Sequence, residues 1–379
     1  MDLPPVIVAE TFAEAHARPA EGVWHAPGRL NLIGEHTDYN GGLVLPFALA
    51  EGVTVAAARR DDDLLEFRSL QAIGEPVSVR LGDLTPGSVG GWGAYPAGVA
   101  WALRDLGIGG ASLLFDADLP QGAGLSSSAA LECATALALS DLYALSVERP
   151  ALALLAQRAE NDFAGMPCGI MDQSASLLCT AGNALLLDCL TGLSSPVPLD
   201  LGGFTLLVID TRAPHRLVGG EYADRRASCE RAAAALGITT LREVKDLASA
   251  LTALPDPVLQ RRVRHVVTEN HRVEATAGLL RAGAVAEIGA LLTASHLSLR
   301  DQFEVSWPEA DVAVEEAIRA GARGGRMVGG GFGGSALALV PSPRVPEVEA
   351  AVTAAFTSRG WTSPAFLHAT PSPGAHRLS

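Results

Sequence analysis

Arg29, Glu35, His36 and Asp38 crowd into one short run, Ala26–Pro46, which reads APGRLNLIGEHTDYNGGLVLP and is otherwise strand-like. Glutamate, histidine and aspartate offer hydrogen-bond acceptors, and arginine offers a fork of donors. Together they suit a small polyhydroxylated molecule. The plainer reading is a polar turn between strands at Leu30–Ile33 and Leu43–Phe47, closed by Asn40-Gly41-Gly42.

A second cluster, Leu119–Leu139, places Gly122, Gly124 and three serines at the start of an apolar-periodic segment. Glycines let backbone approach a ligand where a Cβ would block it, and a helix N-terminus points unpaired N–H groups at an anion. Ser126, Ser127 and Ser128 add hydroxyls for phosphate or for the shell of a magnesium ion. The alternative is a serine-capped helix after a glycine turn.

A later run, Met327–Val340, has glycines from Gly329 to Gly334 interrupted only by Phe332, which favours close approach of backbone to a ligand or a neighbouring loop over a plain hairpin turn. Between the two runs, AENDFAGMPCGIMDQSAS (159–176) carries Glu160 and Asp172. If both face the glycine loop, one carboxylate could bind a metal and the other accept a proton. Taken singly, each also reads as a helix-end or capping carboxylate.

Composition narrows what these groups can do. Lys245 is the only lysine and lies in a charged stretch, LREVKDLASAL. That excludes the P-loop lysine, the strand lysine of protein kinases and a buried Schiff-base lysine. Any phosphate must be held by backbone N–H groups, arginine, hydroxyls and metal. The net charge of -14 disfavours nonspecific binding to nucleic acid or anionic membranes. The N-terminal residues lack a basic leader and no apolar run is long enough to span a bilayer, so a cytoplasmic protein is expected. Five cysteines, none in a CxxC pair, point to neither a disulfide framework nor a zinc site; a reactive thiol at Cys168 is the one exception weighed.

The elements that position these groups follow from periodicity. Strands are expected at Gly52–Arg59, Leu64–Leu70, Ala111–Ala117, Ala184–Asp188, Phe204–Ile209 and Ala336–Val340. Helices are expected at Ala129–Leu145, Pro150–Phe163, Glu221–Leu236, Val258–Ala282 and Val345–Ser358, with a loop-rich stretch at Pro86–Gly98 and a frayed C-terminus. At 379 residues the chain exceeds one ordinary core, so two domains or one two-lobed unit are expected.

The order of these motifs resembles the GHMP small-molecule kinases. GRLNLIGEHTDYNGG is similar to the signature of the galactokinases within that superfamily, FAGMPCGIMDQ resembles their catalytic segment, and the match extends through GGEYADRR. The resemblance implies an α+β, two-lobed fold with mixed sheets packed against helices and the active site in the cleft between lobes. It implies an N-terminal lobe over 1–195, with a sugar signature at about 20–50 and an ATP-binding region at about 90–185, and a C-terminal lobe over 196–379. It further implies transfer of the ATP γ-phosphoryl group to the C1 hydroxyl of α-D-galactose.

In that scheme Asp172 takes the hydroxyl proton with Arg29 beside it. Glu35, His36, Thr37, Asp38, Gly169, Asp172 and Tyr222 hold the sugar. Gly122, Ala123, Gly124, Leu125, Ser126, Ser127 and Ser128 cradle the triphosphate, Ser69 touches the nucleotide, and Ser128 with Glu160 binds Mg²⁺. No nucleic acid, membrane or obligate protein partner is implied, and a monomer is expected. Two alternatives stay open: a kinase of another pyranose such as N-acetylgalactosamine, and a non-catalytic galactose sensor. The intact Ser126–Ala130 run argues against the sensor, because such relatives lack a Ser-Ala pair there.

Overall fold

The structure is a computed structural model that describes residues 5–72, 74–120, 122–213 and 220–379. Its largest sheet has six strands in the order 376–377, 22–31, 46–59, 111–117, 64–69 and 77–80. All neighbours are antiparallel except the pair Leu64–Ser69 and Ala111–Ala117, which runs parallel with Ser69 opposite Phe115. A four-stranded antiparallel sheet orders 324–327, 335–341, 204–210 and 365–369, and a small sheet joins 43–44, 183–188 and 194–198. Helices pack on these sheets, giving the expected α+β architecture.

One apolar core runs through both halves of the chain. Trp24, Phe47 and Leu113 of the first sheet share a cluster with Leu206, Val208 and Leu337 of the second. A separate cluster containing Val263, Phe303 and Val305 lies under the C-terminal helices and backs the sugar-signature turn through Tyr39 and Phe332. The shared core fixes the two halves against each other, so residues far apart in sequence can hold sub-ångström geometry in a cleft.

Most expected elements form near their expected limits. The helices Ser127–Leu142, Gly220–Leu236, Pro257–Arg281 and Val345–Ser358 are examples. The expected Leu43–Phe47 and Gly52–Arg59 strands differ more: Pro46–Arg59 is one long strand, preceded by a two-residue strand at Leu43–Val44. The Pro86–Gly98 stretch is less open than its composition suggests, because a helix, Ala94–Leu103, begins inside it.

The C-terminus is not frayed. His376–Arg377 pairs with Trp24 and His25 at the edge of the six-stranded sheet, so the last residues return to the first half of the chain. Two ladder residues carry no readable period, which is why sequence pattern misses them. The helix starting at Arg149 ends at Arg158, and Ala159–Phe163 continues as a π-turn. That widened turn contains Glu160; such insertions recur at functional sites.

Candidate active site

The sugar-signature segment leaves the six-stranded sheet after Asn31, adds Leu43–Val44 to the small sheet and rejoins the large one at Pro46, through a turn tied from within. Leu32 N–H donates to Leu45 O, and Leu45 N–H donates to Ile33 O. The Thr37 hydroxyl lies between the Gly34 and Leu43 carbonyls, at 2.8 and 2.7 Å. Gly34 and Gly41 take positive φ values of 103° and 65°, which the tight path requires. The polar-turn reading is thus correct for the backbone. Its side chains nevertheless line a cavity.

That cavity, about 400 Å³, is lined by Arg29, Glu35, His36, Asp38, Glu160, Gly169, Asp172 and Tyr222, with Gly329–Phe332 closing the opposite wall. The structure therefore brings together most of the residues the sequence singled out. Thr37 is the exception on the sugar side: it is fully buried, and its hydroxyl closes the turn beneath the cavity. Ser69 lies elsewhere, on a second cavity of about 270 Å³ lined also by Phe67, Arg68 and Trp92.

Arg29 and Asp172 form the best-defined polar contact in the cleft. Arg29 Nε donates to Asp172 Oδ1 at 2.8 Å and Nη2 donates to Oδ2 at 3.0 Å, a two-pronged match of planar groups. Arg29 Nη1 donates to the Gly124 carbonyl at 2.7 Å, and the Arg29 N–H donates to Leu125 O at 3.1 Å. The strand thus holds the glycine loop directly. Burial opposes the charge of Arg29, but Asp172, Glu35 and Asp38 outweigh it and raise its pKa. Asp172 stands in the first turn of the helix Met171–Leu178, so it is not the N-cap.

The glycine loop departs from an ordinary serine cap. Ser126 occupies the N-cap position of Ser127–Leu142 with φ 59° and makes no side-chain capping bond. Its hydroxyl donates instead to Asp172 Oδ2. Gly122 and Gly124 have φ values of 76° and 75°, consistent with a loop shaped around backbone approach. The loop's described residues 122–128 are therefore joined to the cavity's rear wall by Arg29 and Asp172, although they do not line it.

Glu160 is buried rather than solvated, and the Ser128 hydroxyl is among the nearby groups that favour its charged form. Burial, then the nearby Asp172, raises its pKa. Behind it lies a network that no motif announced. Gln173 Nε2 donates to Glu160 Oε2 at 2.6 Å and to Glu132 Oε2 at 3.0 Å. Glu132 is fully buried, and burial followed by the Glu160 charge pushes its pKa well above the usual carboxylate range. The only sequence hint was spacing: Glu132 follows Ser128 by one helical turn, on the same face. Cys168 lies 3.3 Å from Glu160 Oε2, and burial followed by that carboxylate pushes its thiol pKa up, so it is a protonated donor and not a reactive thiolate.

On the sugar-signature side, burial and then Asp172 push the Asp38 carboxyl up to about 7. Among the described residues no side-chain donor reaches it. Gly169 makes room for it, since a Cβ there would stand 1.8 Å from Asp38 Oδ2. Glu35 Oε1 accepts from the Gly329 N–H at 2.8 Å. His36, with φ 62°, packs its ring 4.7 Å from Phe303 and 5.6 Å from Tyr222, and its Nδ1 lies 2.9 Å from the Tyr39 hydroxyl. Burial and the neighbouring His265 lower its pKa to about 3, so the ring is neutral. Tyr222 also packs on Gly330, where a Cβ would lie 3.3 Å from its ring. Close approach between loops thus accounts for part of the late glycine run.

Comparison with known proteins places this geometry. The galactokinase galactose-binding signature matches residues 10–59, the GHMP kinase N-terminal domain matches 94–180, and the GHMP kinase C-terminal domain matches 276–358. A galactokinase of Streptomyces coelicolor is 51% identical over 98% of each chain. The chain belongs to the galactokinase family. It is an ATP-dependent sugar kinase. A Mycobacterium bovis galactokinase is 46% identical over 92% of this chain and 97% of its own. The crystal structure of Lactococcus lactis galactokinase complexed with galactose superposes with a TM-score of 0.94 at 34% identity, covering 98% of this chain and 99% of that one. A Methanococcus jannaschii mevalonate kinase, at 15% identity and a TM-score of 0.67 over 92% of this chain and 98% of its own, shares the fold. Among the described residues, no helix is long and apolar enough to cross a membrane.

Proposed function

We propose that the larger cavity binds galactose and that the chain transfers the γ-phosphoryl group of ATP to its C1 hydroxyl, yielding galactose 1-phosphate and ADP. The observation that carries this reading is the Arg29–Asp172 pair, fixed by two hydrogen bonds at the junction of the sugar-signature cavity and the glycine loop. The C1 hydroxyl oxygen attacks the γ-phosphorus while its proton passes to Asp172. The bond from that phosphorus to the β–γ bridging oxygen breaks, and ADP carries away the electron pair. Arg29 offsets charge on the transferring phosphoryl group; such transfer is catalysed mainly by positioning and electrostatics.

Sugar selectivity belongs to Asp38 with Glu35, His36, Gly169 and Tyr222. Asp38 accepts from the C3 hydroxyl and the axial C4 hydroxyl, a role suited to a carboxylate that no side-chain donor reaches among the described residues. Glucose turns its C4 hydroxyl away and leaves that acceptor unpaired, which is a strong basis for rejection.

The triphosphate lies along the backbone of Gly122–Ser128, and the base enters the Ser69 cavity beside Trp92. Ser69 and the exit of Ala111–Ala117 toward the glycine loop lie at the same end of the parallel pair, which supports this placement. Ser128 and Glu160 offer two hard oxygen ligands and would suit Mg²⁺, which would take waters and phosphate oxygens as its other ligands. When bound, Mg²⁺ neutralises charge on the phosphates. The enzyme is taken to work as a monomer, which sedimentation checks. A sugar panel with coupled detection of ADP tests the whole reading: galactose-dependent release with little response to glucose supports it, and equal turnover of both sugars refutes it.

A further inference from the structure

We propose that Arg326, in the second half of the chain, is a positioning residue for sugar recognition that aims the Glu35 carboxylate into the cavity. This rests on the galactose reading and deepens it. Arg326 lies on the strand Gly324–Met327, just before the late glycine run, and is fully buried. A buried guanidinium is unfavourable unless partners offset its lost hydration. Its partners are a carbonyl where the sugar-signature turn begins and a carboxylate within that turn. Nη1 donates to the Asn31 carbonyl at 3.0 Å, where that segment leaves the sheet. Nη2 lies 3.4 Å from Glu35 Oε1.

The same oxygen, Oε1, accepts from the Gly329 N–H at 2.8 Å. The Gly329 N–H hydrogen-bonds Oε1 and the Arg326 guanidinium attracts the same oxygen as an ion pair, without a hydrogen bond from Nη2 among the described residues, which leaves Oε2 as the oxygen for a ligand hydroxyl. Glu269 also feels the Arg326 charge, but its oxygens are hydrogen-bonded elsewhere, accepting from the Gly34 N–H, Ser295 and Arg272. Glu35 is the carboxylate that Arg326 orients. Part of the sugar preference of an N-terminal motif thus depends on a residue nearly three hundred positions away.

A plain structural staple between the halves would have the same contacts, and a double-mutant cycle separates the two roles. Galactose affinity is measured by calorimetry on the nucleotide-free parent, Arg326→Met, Glu35→Gln and the double variant. Arg326→Met weakens galactose about 30-fold or more, as expected when one member of a buried charge pair is removed. The double variant binds within about twofold of the weaker single variant, because both changes disable one interaction. Arg326→Lys restores part of the affinity, and KM for ATP stays at the parent value throughout. If Arg326→Met does not fold, the same cycle is run with Arg326→Lys.

Losses that multiply in the double variant, unchanged galactose affinity in the single variant, or a parallel rise in KM for ATP would overturn the proposal. A parent that binds no galactose overturns the sugar reading, and this proposal with it.

Discussion

Two aspartates face one cavity, and their surroundings are opposite. Asp172 is held at both oxygens by Arg29 and also accepts from Ser126, so its position is set before any ligand arrives. Asp38 meets no side-chain donor among the described residues, and burial together with Asp172 raises its pKa to about 7. A carboxylate surrounded by side-chain donors is preorganised for chemistry, whereas one that no side-chain donor reaches gains most from a ligand that brings its own hydroxyls. The difference fits the proposed reading, with reaction at one aspartate and recognition at the other, although both belong to the same charged cleft.

The strongest way to break this division is at Asp172. Asp172→Asn keeps size and shape but cannot accept the hydroxyl proton, and turnover should fall by about 10³-fold or more in an ADP-release assay, within the range for removing a general base. Next comes Arg29→Lys, which keeps a charge but loses the fork that engages both oxygens; kcat should drop by about 10²-fold with a smaller change in KM for galactose. A rise in galactose KM with unchanged kcat would move Arg29 to the recognition side.

Asp38→Asn should raise galactose KM by about tenfold to a hundredfold while narrowing the preference for galactose over glucose. It should also affect stability in a pH-dependent way. A carboxyl whose folded pKa stands above its ordinary value contributes stability that is fully present below about pH 4 and is lost as pH rises through about 7. The asparagine variant should therefore melt at a higher temperature than the parent at about pH 8, with the gap closing toward about pH 4. Equal melting shifts at both pH values would remove burial of the Asp38 charge as the cause.

The smallest effect sharpens the same point in the unmodified enzyme. As pH falls through about 7, Asp38 takes up a proton and loses acceptor capacity, so galactose KM should rise by up to about tenfold per pH unit below that point. Initial-rate measurements across about pH 6 to 8 read this directly, and the Asp38→Asn variant should show a flatter profile.

The sequence revealed these two aspartates unequally. Asp38 sits in a polar run too dense for a core, and its neighbours Glu35 and His36 face the cavity with it. Asp172 taken alone reads more readily as a cap, and only the family resemblance singles it out; its pairing with Arg29 depends on strand register and on where a short helix starts. Thr37 shares the composition of its neighbours, yet backbone carbonyls at Gly34 and Leu43 claim its hydroxyl, a contact fixed by the path of the turn.

Glu132, Gln173 and Arg326 were invisible for a different reason. The partners of each lie on other elements, so the contacts are not marked locally, even though Glu132 follows Ser128 by one helical turn. The two-residue pairing of His376–Arg377 escaped in the same way. Dense local chemistry was legible, whereas the buried groups that orient it were visible only in three dimensions.

The most direct test of the divided cleft is a calorimetric titration of galactose into Asp172→Asn and Asp38→Asn, each compared with the parent. The account predicts that Asp172→Asn binds galactose within a few fold of the parent and that Asp38→Asn binds it at least about tenfold more weakly. The reverse order, with Asp38→Asn binding normally and Asp172→Asn not binding, would contradict it.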